Sequence, residues 1–195
     1  MLRQARALSS AAAGAALIAA AVVALASPAT LHSGVDKGAM LPAYSPRHVT
    51  GEDRDTSTCP VCKYPFRPAV QAWVNTDDAK NVTALVSALE RVTRANADKK
   101  LKAFVVFVPS GKQSADALAK RLARLGEKGK LRNVALTYVS GPDDPALKGY
   151  GINTDARVRN TIFVYRDRKV SDKFVNLVAD REGIDALTAA IRRVL

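Results

Sequence analysis

The chain has 195 residues, 48% of them hydrophobic, which suits one domain of ordinary size with a real core. Its formal net charge is +12, but Lys and Arg are scattered through the sequence and not massed in one block, so a solvated basic surface is expected and a nucleic-acid footprint is not. No internal repeat, Gly-rich phosphate loop, Ser/His/Asp triad or metal-carboxylate cluster stands out, so no cofactor is called for.

Residues 1–26 read as a secretory signal. Arg3 and Arg6 form a charged start, Ala7 to Ala26 is an uncharged run, and Ala24-Leu25-Ala26 offers a small-x-small cleavage site. The run exceeds the usual ~7 to 15 apolar residues, which leaves an uncleaved membrane anchor as the alternative. The expected location is therefore periplasmic or secreted, with membrane attachment only if the segment is retained. Residues 27–40 contain Ser, Pro and Gly without an apolar period and read as a flexible linker. The folded domain is expected over 41–195.

Within it, Leu41 to Gly51 suggests a short extended piece ending in a turn, and Glu52 to Ser57 is polar and turn-like. Ala69 to Asn75 is the first strand candidate, with Val70, Ala72 and Val74 on one face and Trp73 on the other. Thr76, Asp77 or Asp78 then caps a helix whose Val82, Leu85, Val86, Leu89 and Val92 form one apolar stripe. Lys102 to Val108 is a continuous apolar run, as a strand buried on both faces requires. Ser114 caps a further helix carrying Leu118, Leu122 and Leu125, and Val134 to Val139 gives another strand. Pro145 to Lys148 suggests one helical turn. Thr161 to Tyr165 and Val170 to Leu177 read as a β-hairpin, and Asp180 caps a last helix with Ile184, Leu187, Ile191 and Val194 on its buried face. Alternation of strands and helices predicts an α/β fold around a mainly parallel sheet with an antiparallel edge.

This order of elements resembles the thioredoxin-like superfamily. The helix-strand unit at Ser114 to Val139, the turn Tyr150-Gly151-Ile152, the lead-in Pro42-Ala43-Tyr44 with Val49-Thr50-Gly51, and the hairpin at Val158 to Val170 resemble its peroxiredoxin and periplasmic redoxin branch. The resemblance implies a central sheet with flanking helices, a C-terminal hairpin and the extra helix-strand insertion of redoxins. It also implies a reactive cysteine just after the first core strand, where this chain reads Asn75-Thr76-Asp77-Asp78-Ala79. That place holds no cysteine, and its two aspartates would repel a thiolate. Asn160 stands where thioredoxins have the cis-proline facing Cys-x-x-Cys, and Arg159 occupies the place of an Arg that peroxiredoxins often carry; without a cysteine opposite, it reads as a surface charge.

The only two cysteines stand in Cys59-Pro60-Val61-Cys62. No apolar strand precedes them, and Pro65 and Pro68 would break a helix beginning there, so the motif is expected in a loop or one irregular helical turn leading into the strand at Ala69. Three chemistries remain open. The pair resembles the active sites of glutaredoxins and periplasmic dithiol oxidases, which implies thiol-disulfide exchange with Cys59 attacking, Cys62 resolving, and Lys63 lowering a thiol pKa. It could instead be a permanent disulfide in a non-catalytic binding or accessory module, worth ~1 to 3 kcal/mol for so short a loop. The third reading is a metal site: two thiolates for a copper-handling role, or zinc with His48 and His32. The expected partners are protein thiols or disulfides, or an envelope protein, met by a monomer. Asn81-Val82-Thr83 matches a glycosylation sequon, and Trp73 and Phe104 read as core aromatics.

Overall fold

A computed structural model describes residues 31–109 and 114–195; the expected signal segment lies outside the described residues. The elements in chain order are β1 (Arg47–His48), α1 (Pro60–Lys63), β2 (Ala69–Val74), α2 (Ala79–Ala95), β3 (Lys102–Phe107), α3 (Ala115–Lys128), β4 (Val134–Tyr138), α4 (Pro145–Tyr150), β5 (Asn160–Arg166), β6 (Lys169–Val175) and α5 (Arg181–Arg192). The six strands form one sheet in the order β1-β4-β3-β2-β5-β6. β2, β3 and β4 run parallel, while β5, β6 and β1 pair antiparallel to their neighbours.

The sheet is apolar on both faces because the central strands are covered twice. Val70, Ala72 and Val74 of β2 join Val105, Leu136, Ile162 and Val164 in a core closed by Leu85 and Leu89 of α2, Leu118 and Leu122 of α3, and Leu187 and Ile191 of α5. The alternate residues Ala69 and Trp73, with Phe104, Phe163 and Tyr165, face a second layer containing Leu41, Tyr44, Val61, Tyr64, Leu147 and Tyr150. Side chains alternate across each strand, so one helix layer and one layer of irregular chain plus short helices bury opposite residues. Trp73 and Phe104 are core residues, as expected.

The helices begin where short polar side chains can accept from their first free N–H groups. Asp78 accepts from Asn81, Ser114 from Ala117, and Asp180 from Gly183. The hairpin is tighter than its sequence suggested: β5 extends to Arg166 and β6 begins at Lys169, leaving Asp167 and Arg168 as the turn, both with positive φ (53° and 63°). That geometry matches the twist of two antiparallel strands.

Residues 31–40, read from sequence as part of a flexible linker, lie against the domain, and the compact unit begins at Leu31. Gly34 N–H donates to Gly151 O at 2.8 Å, Val35 to Tyr150 O at 2.9 Å, and Gly38 to Val170 O at 2.8 Å. Gly34 has φ +81°, and a Cβ there would come within 2.6 Å of the Phe163 ring, so glycine lets this segment approach the sheet. A polar sequence without periodicity conceals such contacts because they are made by backbone groups.

Candidate functional site

Cys59 is extended (φ −75°, ψ 113°) and caps the single turn of α1. Pro60 occupies the first helical position, where its missing N–H costs nothing. Val61 is buried in the second core layer, which fixes the turn on the sheet. Pro65 and Pro68 then prevent the helix from continuing, as the sequence suggested. Cys59 and Cys62 are joined by a disulfide, with Cα atoms 5.2 Å apart. Their surroundings differ: Cys59 is half-buried against the second core layer, whereas Cys62 is exposed. The N–H of Cys62 lies 3.2 Å from Cys59 Sγ. Cys62 is thus the more exposed residue of the pair.

The pair sits at the amino ends of the parallel strands. Pro68 O, just before β2, accepts from Lys102 N–H of β3 at 3.1 Å, and Ala69 is paired with Lys102. Beneath α1 lies Asp53, a buried carboxylate from the stretch read as a polar turn. Lys63 donates to Asp53 Oδ1, and Tyr64 donates to Asp53 Oδ2 at 3.1 Å. Glu52 accepts from Lys102 at 2.7 Å and stands 3.5 Å from Lys63. The Lys102 hydrogen bond holds the Glu52 carboxyl down to about 2, and the bond to Asp53 raises the Lys63 ammonium above the usual lysine range. Lys63 is thus committed to two carboxylates, which weakens the role in lowering a thiol pKa expected for it. Burial pushes Tyr64 up to about 12, and its ring is flanked by Lys102, Arg67 and Lys63 at 4.6, 4.9 and 5.2 Å from the centroid.

His48 fixes the approach to the motif. Its Nε2 donates to Thr58 O, the carbonyl preceding Cys59, at 2.9 Å, while Nδ1 is buried without a partner among the described residues. Burial lowers its pKa below the ordinary histidine value. His32 instead lies on the surface, 3.4 Å from Asp36. The two histidines therefore do not join the cysteines in a zinc site, and no group of three potential metal ligands occurs among the described residues.

At the opposite, carboxyl end of β2, the place of the missing cysteine is filled by a polar network. Asp77 Oδ2 accepts from the side-chain amides of Asn81 and Asn160, each at 2.6 Å. Asn160 also brackets Leu177, donating to its carbonyl at 3.0 Å and accepting from its N–H at 2.9 Å. Asn81 donates to Leu177 O and accepts from Ala179 N–H, so this buried amide is engaged in the fold and the sequon it heads is closed to a glycosyl group. Arg159 lies half-buried with its guanidinium 3.4 Å from Asn176 O. Sequence reasoning missed Asp53, Tyr64, Lys102 and the Asn81-Asp77-Asn160 set. Tyr64 beside the motif was a usable signal; the remainder come together only through strand pairing.

No protein-family description matches the sequence, and no curated protein resembles it significantly. Solved structures do resemble the fold. A putative thiol:disulfide interchange protein DsbE from Chlorobium tepidum superposes with a TM-score of 0.61 at 12% identity, covering 82% of this chain and 98% of that one. The peroxidoxin BcpB from Mycobacterium tuberculosis gives 0.61 at 14% identity, covering 84% and 99%. The thioredoxin domain of a thiol-disulfide oxidoreductase from Bacteroides vulgatus gives 0.58 at 12%, covering 80% and 99%. With the strand order, the terminal hairpin and the α3–β4 unit described above, these similarities give the chain the thioredoxin-like fold in its redoxin form.

Proposed function

We propose that this protein is an exported thiol-disulfide exchange protein whose reactive centre is Cys59–Cys62. The observation that carries the reading is the asymmetric disulfide, with Cys62 exposed and Cys59 sheltered next to a backbone N–H. A substrate thiolate attacks Cys62 Sγ and forms a mixed disulfide. The Cys59–Cys62 bond breaks, and its electron pair leaves on Cys59 Sγ, where the Cys62 N–H stabilises the thiolate until it takes a proton. A second substrate thiolate then attacks the substrate sulfur of the mixed disulfide and releases Cys62. The substrate dithiol has been oxidised to a disulfide and the protein disulfide reduced to a dithiol; the same steps reversed reduce a substrate. Export rests on the charged start and apolar run of residues 1–26, and among the described residues no helix is long and apolar enough to cross a membrane.

The test is the reduction potential of the pair together with turnover of a dithiol or disulfide substrate by wild type, Cys59→Ser and Cys62→Ser. Exchange at a potential near that of known exchange proteins, with the mixed disulfide trapped in Cys59→Ser and absent in Cys62→Ser, supports the reading. A potential well below about −300 mV without turnover would sink it. That outcome favours a second reading, a binding or accessory module with a structural disulfide, which draws support from the pair's place at the amino ends of the strands and from the pairing of Lys63 with carboxylates.

A further inference from the structure

The disulfide end of the sheet carries charge that the fold leaves unpaired. Arg132, just before β4, lines two adjoining clefts. One is walled by Tyr64, Lys102 and Glu52, next to α1, and the other by Arg91, Arg94 and Lys130, where α2 and α3 end. None of Arg67, Arg91, Arg94, Lys130 and Arg132 has a carboxylate within ion-pair distance among the described residues. The acids that line these two clefts are engaged elsewhere: Glu90 accepts from both nitrogens of Asn133 and from Val134 N–H, while Glu52 and Asp53 hold Lys102 and Lys63. Helix dipoles favour a cation at each helix C-terminus, which explains single residues here but not four lining adjoining clefts. Lys130 moreover sits at φ +49°, in the left-handed region where glycine is ordinary after a helix, so a charged side chain is kept at a conformational cost.

A second feature follows α1 in the chain. Phe66, four residues after Cys62 and between Pro65 and Arg67, is 77% exposed. An aromatic ring left in water beside unpaired arginines has the composition of a protein-binding hot spot.

We infer that this face docks an acidic segment of a partner polypeptide, with Phe66 as the apolar contact and Arg67, Arg94, Lys130 and Arg132 as carboxylate receptors. On the redox reading, such docking brings the partner's cysteine to Cys62; the docking itself does not depend on that reading. A peptide fits this surface better than a phosphate backbone or a lipid layer. Arg94, Lys130 and Arg132 line recessed clefts, and the exposed Glu52 carboxylate interrupts the surface, so discrete acidic side chains can avoid the repulsion that a continuous row of phosphates would meet.

The experiment uses the full oxidised chain and a short, fluorescently labelled Glu-rich peptide that contains leucine and no cysteine, with its Lys-rich counterpart as control. Anisotropy should report salt-sensitive binding of the acidic peptide and none of the basic one. Arg94→Glu/Lys130→Glu/Arg132→Glu should weaken that binding about tenfold or more, and Phe66→Ala about tenfold at constant salt. Equal affinity for both peptides, an unaltered affinity in the triple variant, or tighter binding to phosphatidylglycerol vesicles or duplex DNA overturns the proposal. Because the probe has no thiol and the protein disulfide stays closed, binding without exchange activity defeats only the redox reading, and exchange without charge-selective binding defeats only the docking.

Discussion

Asn160 donates its side-chain amide to Asp77 at 2.6 Å, joining the first residue of β5 to the loop that follows β2. Leu177, just after β6, is drawn into the same network through both its backbone groups. That place is closed by structure, and the two cysteines stand before β2, at its other end.

Asn160→Ala should therefore be costly for a single polar substitution. It removes donors to Asp77 and Leu177 O and the acceptor of Leu177 N–H, the two Leu177 bonds buried and the Asp77 bond part-buried. The expected loss is about 2 to 4 kcal/mol, read by urea unfolding. A loss near zero would show that the network does not anchor the loop to the hairpin.

His48 gives stability a defined pH dependence. Burial disfavours its charged form, so its folded pKa lies below the unfolded value near 6.5, with Asp53 raising it and Lys63 lowering it to lesser degrees. The unfolded chain then binds more protons than the native one between those two values. The contribution is complete above about pH 6.5 and is lost as pH falls through the folded pKa. Urea midpoints of wild type should decline over that window, and His48→Gln should flatten this part of the profile whatever its absolute stability.

Asp53 supports the turn that presents the disulfide. Asp53→Ala leaves Tyr64 and Lys63 without their buried acceptor. The fold should lose about 1 to 3 kcal/mol. Reduction of Cys59–Cys62 by dithiothreitol, followed by thiol labelling, should become faster as α1 loosens. Unchanged kinetics in a destabilised variant would separate the carboxylate from the reactivity of the pair.

Gln71 points to a gain. It is fully buried on β2, paired in register with Phe104 and Phe163, and neither amide atom has a partner within hydrogen-bonding geometry among the described residues. Gln71→Met keeps the volume and removes the buried polar group. Stability should rise by about 1 to 2 kcal/mol. A decrease would mean that the amide is satisfied in solution.

The fold was largely legible because its signals are local. Asp78, Ser114 and Asp180 each cap the helix their position suggested, and the continuous apolar run of β3 announced a strand covered on both faces. The hairpin turn was placed with less accuracy, since Asp167 and Arg168 carry no glycine to mark their positive φ. Residues 31–40 were misread because Gly34, Val35 and Gly38 are held by backbone bonds to chain more than a hundred residues away.

For the site, the sequence by itself determined the Cys59-Pro60-Val61-Cys62 pair, its place in a loop or single helical turn ahead of β2, and the absence of a cysteine after β2, because each depends on neighbours a few residues apart. Only the tertiary structure decided which cysteine is exposed, that Lys63 is paired with Asp53 and Glu52, and that Asp77, Asn81 and Asn160 form one polar network beyond β2. Exposure and charge pairing are properties of surfaces made when distant segments pack, and residue order specifies them only through the folded sheet.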